Sequence, residues 1–223
     1  MRAGSPQHLA HGHAYKWNTA GVLLDESIPR GPIDLATVFG NGRPVEVEIG
    51  TGKGTFLVAR AEARPEVNFL GIEYARAYCR YAADRFRRHG LANVRMVHTD
   101  AAHFFKVCLG DASVWRVHVY FPDPWPKRRH HRRRLIQPPF VADVKRVLRP
   151  GGQLIVVTDH MDYFRWIGRV LLNAPGLAPV PVPRMTDAEG QIVGTNFERK
   201  YITQDRPSYA IARMRYVQAN RRK

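Results

Sequence analysis

Short apolar runs alternate with helical stretches along most of this chain, and this alternation constrains the fold more than any other feature. A parallel strand is buried on both faces and forms a nearly continuous apolar run, whereas a crossover helix has apolar residues three or four positions apart. Strands are predicted at residues 45–49, 68–73, 94–98, 114–120 and 153–158. Helices are predicted at residues 55–63, 75–89, 101–108 and 161–173, and from Pro138 to Pro150-Gly151-Gly152. We therefore predict an α/β fold with a mostly parallel twisted sheet and helices on both faces.

The two ends of the chain depart from this alternation. Residues 1–43 are rich in Gly, Pro and His and lack sustained periodicity, so we predict a flexible N-terminal arm over 1–43 and a single domain over 44–223. Towards the C-terminus, the proline-rich residues 175–183 are predicted to form a loop. Two strands around 195–202 and 209–217 are predicted to form an antiparallel pair at the edge of the sheet.

An acidic residue lies near the end of each predicted parallel strand. The five acids are Glu48, Glu73, Asp100, Asp123 and Asp159. The carboxyl ends of parallel strands meet at one edge, and open α/β sheets bind their ligands there. One or two of these acids would serve only to cap the next helix. The set as a whole predicts a ligand site at that edge.

The loop after the first predicted strand is rich in glycine and narrows the ligand class. Because glycine has no Cβ, the backbone at Gly50, Gly52 and Gly54 is predicted to approach the ligand closely. The third glycine comes one position too early for the dinucleotide fingerprint, which disfavours a pyrophosphate. Glu73 suits ribose hydroxyls and Asp100 suits the exocyclic amine of adenine. These features predict adenosine with an amino-acid tail, S-adenosylmethionine, as the cofactor.

The fourth predicted strand leads into an acid between two prolines, Pro122-Asp123-Pro124, and then into a cationic run. Residues 127–134 contain six Lys or Arg and two His, and the formal net charge of the chain is +16. Such a run beside a rigid loop favours phosphate contacts over a merely solvated face, and residues 221–223 would add to the same surface. The segment predicts chemistry on a nucleic acid. Trp125 is expected either to stack on a base or on the adenine, or to pack against the edge of the sheet.

Several classes of protein are excluded by composition and pattern. Cys79 and Cys108 lack the spacing of a disulfide framework or a zinc site, and His8, His11 and His13 are assigned to a solvated tail. We therefore predict no metal. Neither an apolar signal segment nor an apolar run of membrane-spanning length occurs, so the expectation is a protein of the cytoplasm that does not enter membranes.

Four segments together resemble the bacterial tRNA (guanine-N7-)-methyltransferase family. They are residues 48–54, 71–73, 121–135 and 195–201, and the resemblance extends over roughly residues 45–216. The run Phe-Pro-Asp-Pro-Trp-Pro-Lys and the later Thr-x-Phe-Glu are specific as a pair. The connection at residues 147–154 is also typical of class I methyltransferases. The resemblance implies a Rossmann-like class I methyltransferase domain that transfers a methyl group from S-adenosylmethionine to N7 of guanine 46 in the variable loop of tRNA.

The resemblance also implies roles for individual residues. Glu48, Glu73, Asp100 and Asp123 would contact the cofactor, and Asp123 would also be the catalytic residue. The target guanosine would be held by Lys127, Asp159, Thr195, Asn196, Phe197 and Glu198. Guanine N7 has a lone pair and no proton at neutral pH, so we expect Asp123 to orient the base rather than to accept a proton. The partner would be tRNA, and the choice between monomer and homodimer stays open.

Three other interpretations remain at this point. The first is a methyltransferase for exocyclic amines, since Asp123-Pro124-Trp125 is similar to the loop of that class but lacks its adjacent prolines. The second is a nicotinamide-dependent oxidoreductase, which the glycine spacing disfavours. The third is a non-catalytic RNA-binding module in which the acids only cap helices. The position of the methylated atom tests the first interpretation, and binding of NADH or S-adenosylmethionine tests the second. The effect of Asp123→Ala tests the third.

Overall fold

A seven-stranded sheet organises the structure, a computed structural model that describes residues 16–24, 31–186 and 191–216. The elements follow the order α1 (Leu35–Phe39), β1 (Val45–Ile49), α2 (Thr55–Ala63), β2 (Asn68–Glu73), α3 (Arg76–Arg88), β3 (Val94–His98), α4 (Ala101–Val107), β4 (Val114–Tyr120), a 3-10 helix (Arg128–Arg133), α5 (Pro138–Val147), β5 (Leu148–Thr158), α6 (Met161–Leu172), β6 (Leu177–Val180), α7 (Asn196–Thr203) and β7 (Tyr209–Arg215).

The strand order across the sheet is β3-β2-β1-β4-β5-β7-β6. The first five strands pair in parallel, and β7 pairs antiparallel with both β5 and β6. The chain therefore winds outward in one direction from β1 to β3 and in the other from β4 to β5. The point between β1 and β4, where the winding reverses, is where loops of such sheets separate and leave a crevice for a ligand.

Helices cover both faces of the sheet, as predicted. On one face, Leu35 and Phe39 of α1 join buried residues of α4, α5 and α6 in one apolar cluster. On the other face, residues of α2 and α3 form a second cluster with Met185 and Val193 from the segment before α7. Burial on both sides explains why the central strands consist of nearly continuous apolar runs.

Two predictions near the C-terminus are wrong. Residues 195–202 do not form a strand, because Asn196–Thr203 is the helix α7 and the Thr195 side chain caps it by accepting from the Glu198 backbone amide. Thr followed three residues later by Glu is a helix-start pattern, which outweighs the strand preference of the aromatic residues there. Within the predicted loop 175–183, Leu177–Val180 forms β6. As β6 is an edge strand, it tolerates Pro179.

Two further boundaries differ from the sequence prediction. β7 is paired on both sides, between β5 and β6, so the antiparallel pair at the edge is β6 with β7. Residue 217, predicted as the end of this strand, lies outside the described residues. β5 begins at Leu148, directly after α5, so Pro150-Gly151-Gly152 lies inside the strand as the structure has it.

The described parts of the predicted N-terminal arm contact the domain. Leu23 forms a parallel bridge with Met96 of β3, and Leu35 and Phe39 of α1 are buried. The N-terminal histidines and the basic residues 221–223 lie outside the described residues.

Of the helices in the described part of the chain, none combines the length and apolar character needed to cross a membrane.

Candidate active site

The glycine-rich loop between β1 and α2 lies at the carboxyl edge of the sheet and leaves open space at its start. Gly50 has φ +78° and its amide donates to Ile72 O of β2, at 2.8 Å. A Cβ added at Gly50 would meet no atom within 4 Å. At Gly54, also with positive φ, a Cβ would fall 2.6 Å from the Phe86 ring of α3. Gly50 thus faces space that a ligand can fill, whereas Gly54 permits close packing of two helices.

Three buried polar atoms at this edge have no hydrogen-bond partner among the described residues. They are Glu48 Oε2, Thr51 Oγ1 and Thr99 Oγ1. Glu48 is only 3% exposed, and burial, reinforced by the charge of Glu73, raises the pKa of its carboxyl well above the ordinary value. Leaving such an atom unpaired costs about 1–3 kcal/mol, so these atoms are suited to a polar ligand. A nucleoside with an amino-acid tail offers the required hydroxyl and ammonium donors.

Glu73 ties the glycine-rich loop to the next helix. One carboxylate oxygen accepts from the Gly52 amide and the other accepts from the Ala75 amide, each at 2.8 Å. Each carboxylate oxygen has two lone pairs, so both can also accept from ribose hydroxyls. Glu73 therefore shapes the loop and remains available to a ligand.

Asp100 caps α4, as one of the sequence interpretations allowed. Its Oδ1 accepts from the His103 amide at 2.8 Å, and the side chain is exposed at the end of β3. A carboxylate can accept about four hydrogen bonds, so capping and contact with an adenine amine are compatible.

Asp123 is exposed on a short, constrained loop that follows β4. Phe121 and Trp125, on either side of it, have φ of 51° and 44°, values that cost a non-glycine residue roughly 1–3 kcal/mol. The surrounding structure holds the loop in this conformation, since the Phe121 amide donates to Val157 O at 2.7 Å and Arg134 Nε donates to Pro124 O at 2.8 Å. The Asp123 carboxylate is therefore presented from a fixed support.

The Lys and Arg residues of the cationic segment divide into five exposed residues and one buried residue. The exposed cations are Lys127, Arg128, Arg129, Arg132 and Arg133. Arg134 is only 2% exposed and pairs with Asp162 of α6. Arg134 thus differs from the other cations of the run that was predicted to contact phosphates. Trp125 packs against this segment, with Arg133 over its ring at 5.0 Å and the His130 ring edge-on at 5.8 Å.

Aromatic contacts join the Asp123 loop to α7. The Phe121 ring lies 5.4 Å from that of Tyr201 and 6.2 Å from that of Phe197, which is 42% exposed. Arg206 covers Tyr201 at 4.3 Å and forms an ion pair with Asp159 at the end of β5. The structure thus brings Asp159 and Phe197 to the side of the site where Asp123 lies.

The remaining predicted substrate residues have structural partners. The side-chain amide of Asn196 donates to Thr55 Oγ1 at 2.8 Å and so connects the starts of α7 and α2. Glu198 is 1% exposed, and its carboxylate accepts from the backbone amides of Ile192, Val193 and Gly194. Glu198 therefore shapes the loop before α7. A cavity of about 410 Å³ beside it is lined by Ile192, Glu198, Ile202, Asp205, Arg206, Pro207 and Ser208.

A buried polar network under the site was not anticipated from the sequence. Glu46 Oε2 accepts from His118 Nε2 at 2.8 Å, Glu46 Oε1 accepts from Arg116 at 3.1 Å, and the Tyr120 hydroxyl is 2.6 Å from His118 Nδ1. Burial opposes ionisation of Glu46, but the hydrogen bond from His118 and the charge of Arg116 lower its pKa to about 2. The signal was present in the sequence, because an acid inside a strand buried on both faces requires a partner.

Arg206 and Tyr201 also escaped assignment, because Tyr201 lies in a predicted strand and Arg206 lies between the two predicted C-terminal strands. Within the described ranges, no group of three or more His, Cys, Asp or Glu side chains has the arrangement of a metal site.

Comparison with known proteins gives a consistent result. Residues 42–211 match a family model described as "Putative methyltransferase". The tRNA (guanine-N(7)-)-methyltransferase of Rhodopirellula baltica is 38% identical over 193 residues, which cover 83% of this chain and 71% of that protein. The protein of the same name from Alkalilimnicola ehrlichii is 40% identical over 185 residues, covering 82% and 77%.

Solved structures share the fold at low sequence identity. The 16S rRNA methyltransferase KamB superposes with a TM-score of 0.61 at 15% identity, covering 88% of this chain and 99% of that chain. A SAM-dependent methyltransferase from Aquifex aeolicus gives a TM-score of 0.54 at 17% identity, covering 81% and 87%. At these identities the likeness concerns the fold alone, and it agrees with the predicted class I architecture.

Proposed function

Because this chain belongs to the tRNA (guanine-N7-)-methyltransferase family, we propose that it transfers a methyl group from S-adenosylmethionine to N7 of a guanine in tRNA. The main support for this proposal is that two surfaces meet at one edge of the sheet. Unpartnered buried polar atoms surround the glycine-rich loop, and an exposed acid on a rigid loop is followed by exposed cations. Guanine 46 of the variable loop is the target that the sequence resemblance implies.

The cofactor is proposed to lie across the carboxyl ends of β1, β2 and β3. Glu48 and the backbone from Gly50 to Gly54, with Gly50 and Gly52 nearest, would hold its amino-acid tail, Glu73 its ribose and Asp100 its adenine amine. The open space at Gly50 supports this arrangement. When bound, S-adenosylmethionine supplies an electrophilic methyl group on a sulfonium. Asp123, at the end of the adjacent strand β4, would border the same cleft.

Asp123 is proposed to orient the guanine. Its carboxylate can accept from the N1 and exocyclic amine hydrogens of the base, and its negative charge favours the purine as positive charge develops there. Because N7 carries no proton, a general base is not needed. The constrained loop keeps Asp123 in place, and correct alignment of the reacting atoms can lower a barrier by up to roughly 7–11 kcal/mol.

The substrate side is proposed to involve two kinds of contact. Phe197 offers an exposed ring beside Phe121 on which a base can stack, while Thr195 and Asn196 fix the start of the helix that carries it. Glu198 would act through the loop before α7, and Asp159 would contact the guanosine from its ion pair with Arg206.

Lys127 and its exposed neighbours are proposed to contact tRNA phosphates. If these cations neutralise about four phosphates, the logarithm of affinity should fall with the logarithm of salt concentration at a slope of about −3 to −4. The proposed place of action is the cytoplasm, where the substrate tRNA is found.

The direct test is incubation with labelled S-adenosylmethionine and unmodified tRNA, followed by nucleoside analysis. We expect 7-methylguanosine at one position, a large loss of product in Asp123→Ala, and full product in the control Asp111→Asn, an exposed acid paired with Arg146. N6-methyladenosine or N4-methylcytidine would replace the N7 proposal by the exocyclic-amine class. Binding of NADH without S-adenosylmethionine would favour an oxidoreductase. Undiminished product in Asp123→Ala would remove that residue from the mechanism.

A further inference from the structure

Arg134 differs from the other cations of its segment in exposure and in partners. The five cations before it are exposed, whereas Arg134 is buried at 2% exposure. A guanidinium in this position cannot reach the phosphates of an RNA that lies on the surface. Its charge is instead paired with Asp162 of α6.

The Arg134 side chain contacts the Asp123 loop and the elements beside it. Its Nε donates to Pro124 O at 2.8 Å, and its Nη2 donates to Asp162 Oδ2 at 2.5 Å. The guanidinium lies 4.9 Å from the centre of the Tyr163 ring. Nη2 is also 3.0 Å from Nε2 of His131 in the 3-10 helix. Arg134 therefore joins the loop, the 3-10 helix and α6.

The contact with Pro124 bears directly on Asp123, the preceding residue. Proline has no backbone N–H, so its carbonyl is the only group through which the main chain of Pro124 can be held by a hydrogen bond. The loop also contains two non-glycine residues with positive φ, a conformation that persists only when neighbouring structure enforces it. Arg134 supplies that enforcement from the C-terminal side.

We propose that Arg134 is a positioning residue that fixes the Pro122-Asp123-Pro124 loop and takes no part in phosphate binding. This inference rests on the proposed function. A displacement of about 1 Å in a catalytic group can reduce turnover on the order of 100-fold, so the effect of Arg134 should fall on turnover. Removal of an exposed cation should instead affect tRNA affinity and its dependence on salt.

The test compares three variants with the wild type. Arg134→Lys keeps the charge but loses the Nε donor and the planar stacking group. Asp162→Asn weakens the same anchor from α6 without changing the cationic segment. Arg132→Ala removes an exposed cation of that segment. For each protein, kcat, the KM for tRNA, the salt dependence of tRNA binding and the affinity for S-adenosylmethionine are measured.

We expect Arg134→Lys to lower kcat roughly 30- to 100-fold, with the KM for tRNA within about twofold and the salt slope unchanged. Asp162→Asn should also lower kcat, but only by about 5- to 20-fold, because the hydrogen bond from Arg134 to Pro124 O remains. Arg132→Ala should raise the KM for tRNA and reduce the magnitude of the salt slope by about 0.7–0.9.

The inference is overturned if Arg134→Lys behaves like Arg132→Ala, or if its kcat equals that of the wild type. The far-ultraviolet circular dichroism spectrum and the midpoint of urea unfolding serve as the check on folding. If Arg134→Lys fails that check, Asp162→Asn decides alone, and an unchanged kcat overturns the inference. If the wild type itself forms no 7-methylguanosine, the proposed function fails and this inference falls with it. If the wild type and the variants form 7-methylguanosine at equal rates, this inference is rejected and the proposed function stands.

Discussion

The Glu46 carboxylate and the His118 imidazole form a hydrogen-bonded pair, 2.8 Å apart, in which neither side chain is exposed. His118 Nε2 donates to Glu46, so Nδ1 of the neutral ring accepts from the Tyr120 hydroxyl. Tyr120 directly precedes the loop that carries Asp123. The pair joins β1 to β4 at the point where the sheet winding reverses, and its protonation should therefore affect stability.

Stability should fall as pH decreases through the range in which free histidine titrates. Burial lowers the pKa of His118 below 6.5, despite the opposing effect of Glu46. The unfolded chain then binds a proton near its ordinary pKa while the folded protein does not, so stability present above about pH 6.5 is lost on acidification below it. Urea unfolding at several pH values measures this loss.

The variant His118→Gln should show a shallower dependence of unfolding free energy on pH between about 7 and 5. Val141→Ala, a substitution in the opposite apolar cluster, should lower stability but keep the wild-type dependence on pH. Equal dependence in the wild type and His118→Gln would show that the histidine does not contribute.

Cofactor binding should release a proton from Glu48. The raised pKa of this buried carboxyl keeps a proton bound to higher pH, and a cationic ligand beside it favours the ionised form. Affinity for S-adenosylmethionine should therefore rise with pH. Calorimetry in two buffers of different ionisation enthalpy measures the proton release. Glu48→Gln should abolish it, Glu66→Gln at an exposed site should retain it, and release in Glu48→Gln would assign the proton to another group.

Replacing the two glycines by alanine should give different results. Gly50→Ala should cost about 1 kcal/mol of stability, because alanine disfavours positive φ, and reduce cofactor affinity by at least about tenfold as its methyl enters the open space. Gly54→Ala should destabilise by about 2–4 kcal/mol, because its Cβ also clashes with Phe86. Chemical unfolding and calorimetric titration separate the two effects. Unimpaired cofactor binding in Gly50→Ala would place the ligand elsewhere.

Glu198→Gln should impair the loop before α7. The amide nitrogen of glutamine cannot accept from a backbone N–H, so at least one of three hydrogen bonds is lost at a buried site, at a cost of about 2 kcal/mol. We expect a higher KM for tRNA with unchanged affinity for S-adenosylmethionine. Glu62→Gln, at an exposed position, is the matched control, and an unaltered KM in Glu198→Gln would separate this loop from tRNA binding.

Local sequence patterns were sufficient for the strands and α-helices from β1 to α6, apart from the start of β5. Apolar runs and stop signals such as Gly90 after α3 are properties of neighbouring residues, so they can be recognised without the fold. The same approach failed at α7, where Phe197 and Tyr201 favoured a strand although Thr195 and Glu198 form a helix start. It failed at β6 because prolines conceal an edge strand.

The acids and glycines of the candidate site could be proposed from the sequence, but the residues that hold them in place could not. Asp123 and Gly50 belong to short patterns with a chemical meaning. The ion pair between Arg134 and Asp162 joins residues 28 positions apart, and the pair of Glu46 and His118 joins residues 72 positions apart. Such partners depend on which elements the fold brings together, and no local periodicity encodes them.

Asp123 and Lys127 are both exposed and lie on one continuous stretch of chain. A nucleotide carries its negative charge on the phosphate and its donors on the guanine edge. The acid repels the phosphate and the cation attracts it. A bound nucleotide would therefore place its phosphate near Lys127 and the donors of its base near Asp123. In the proposed binding mode, a guanine detached from its polymer would lack the phosphate that Lys127 contacts, so this surface would favour a base still held in a strand.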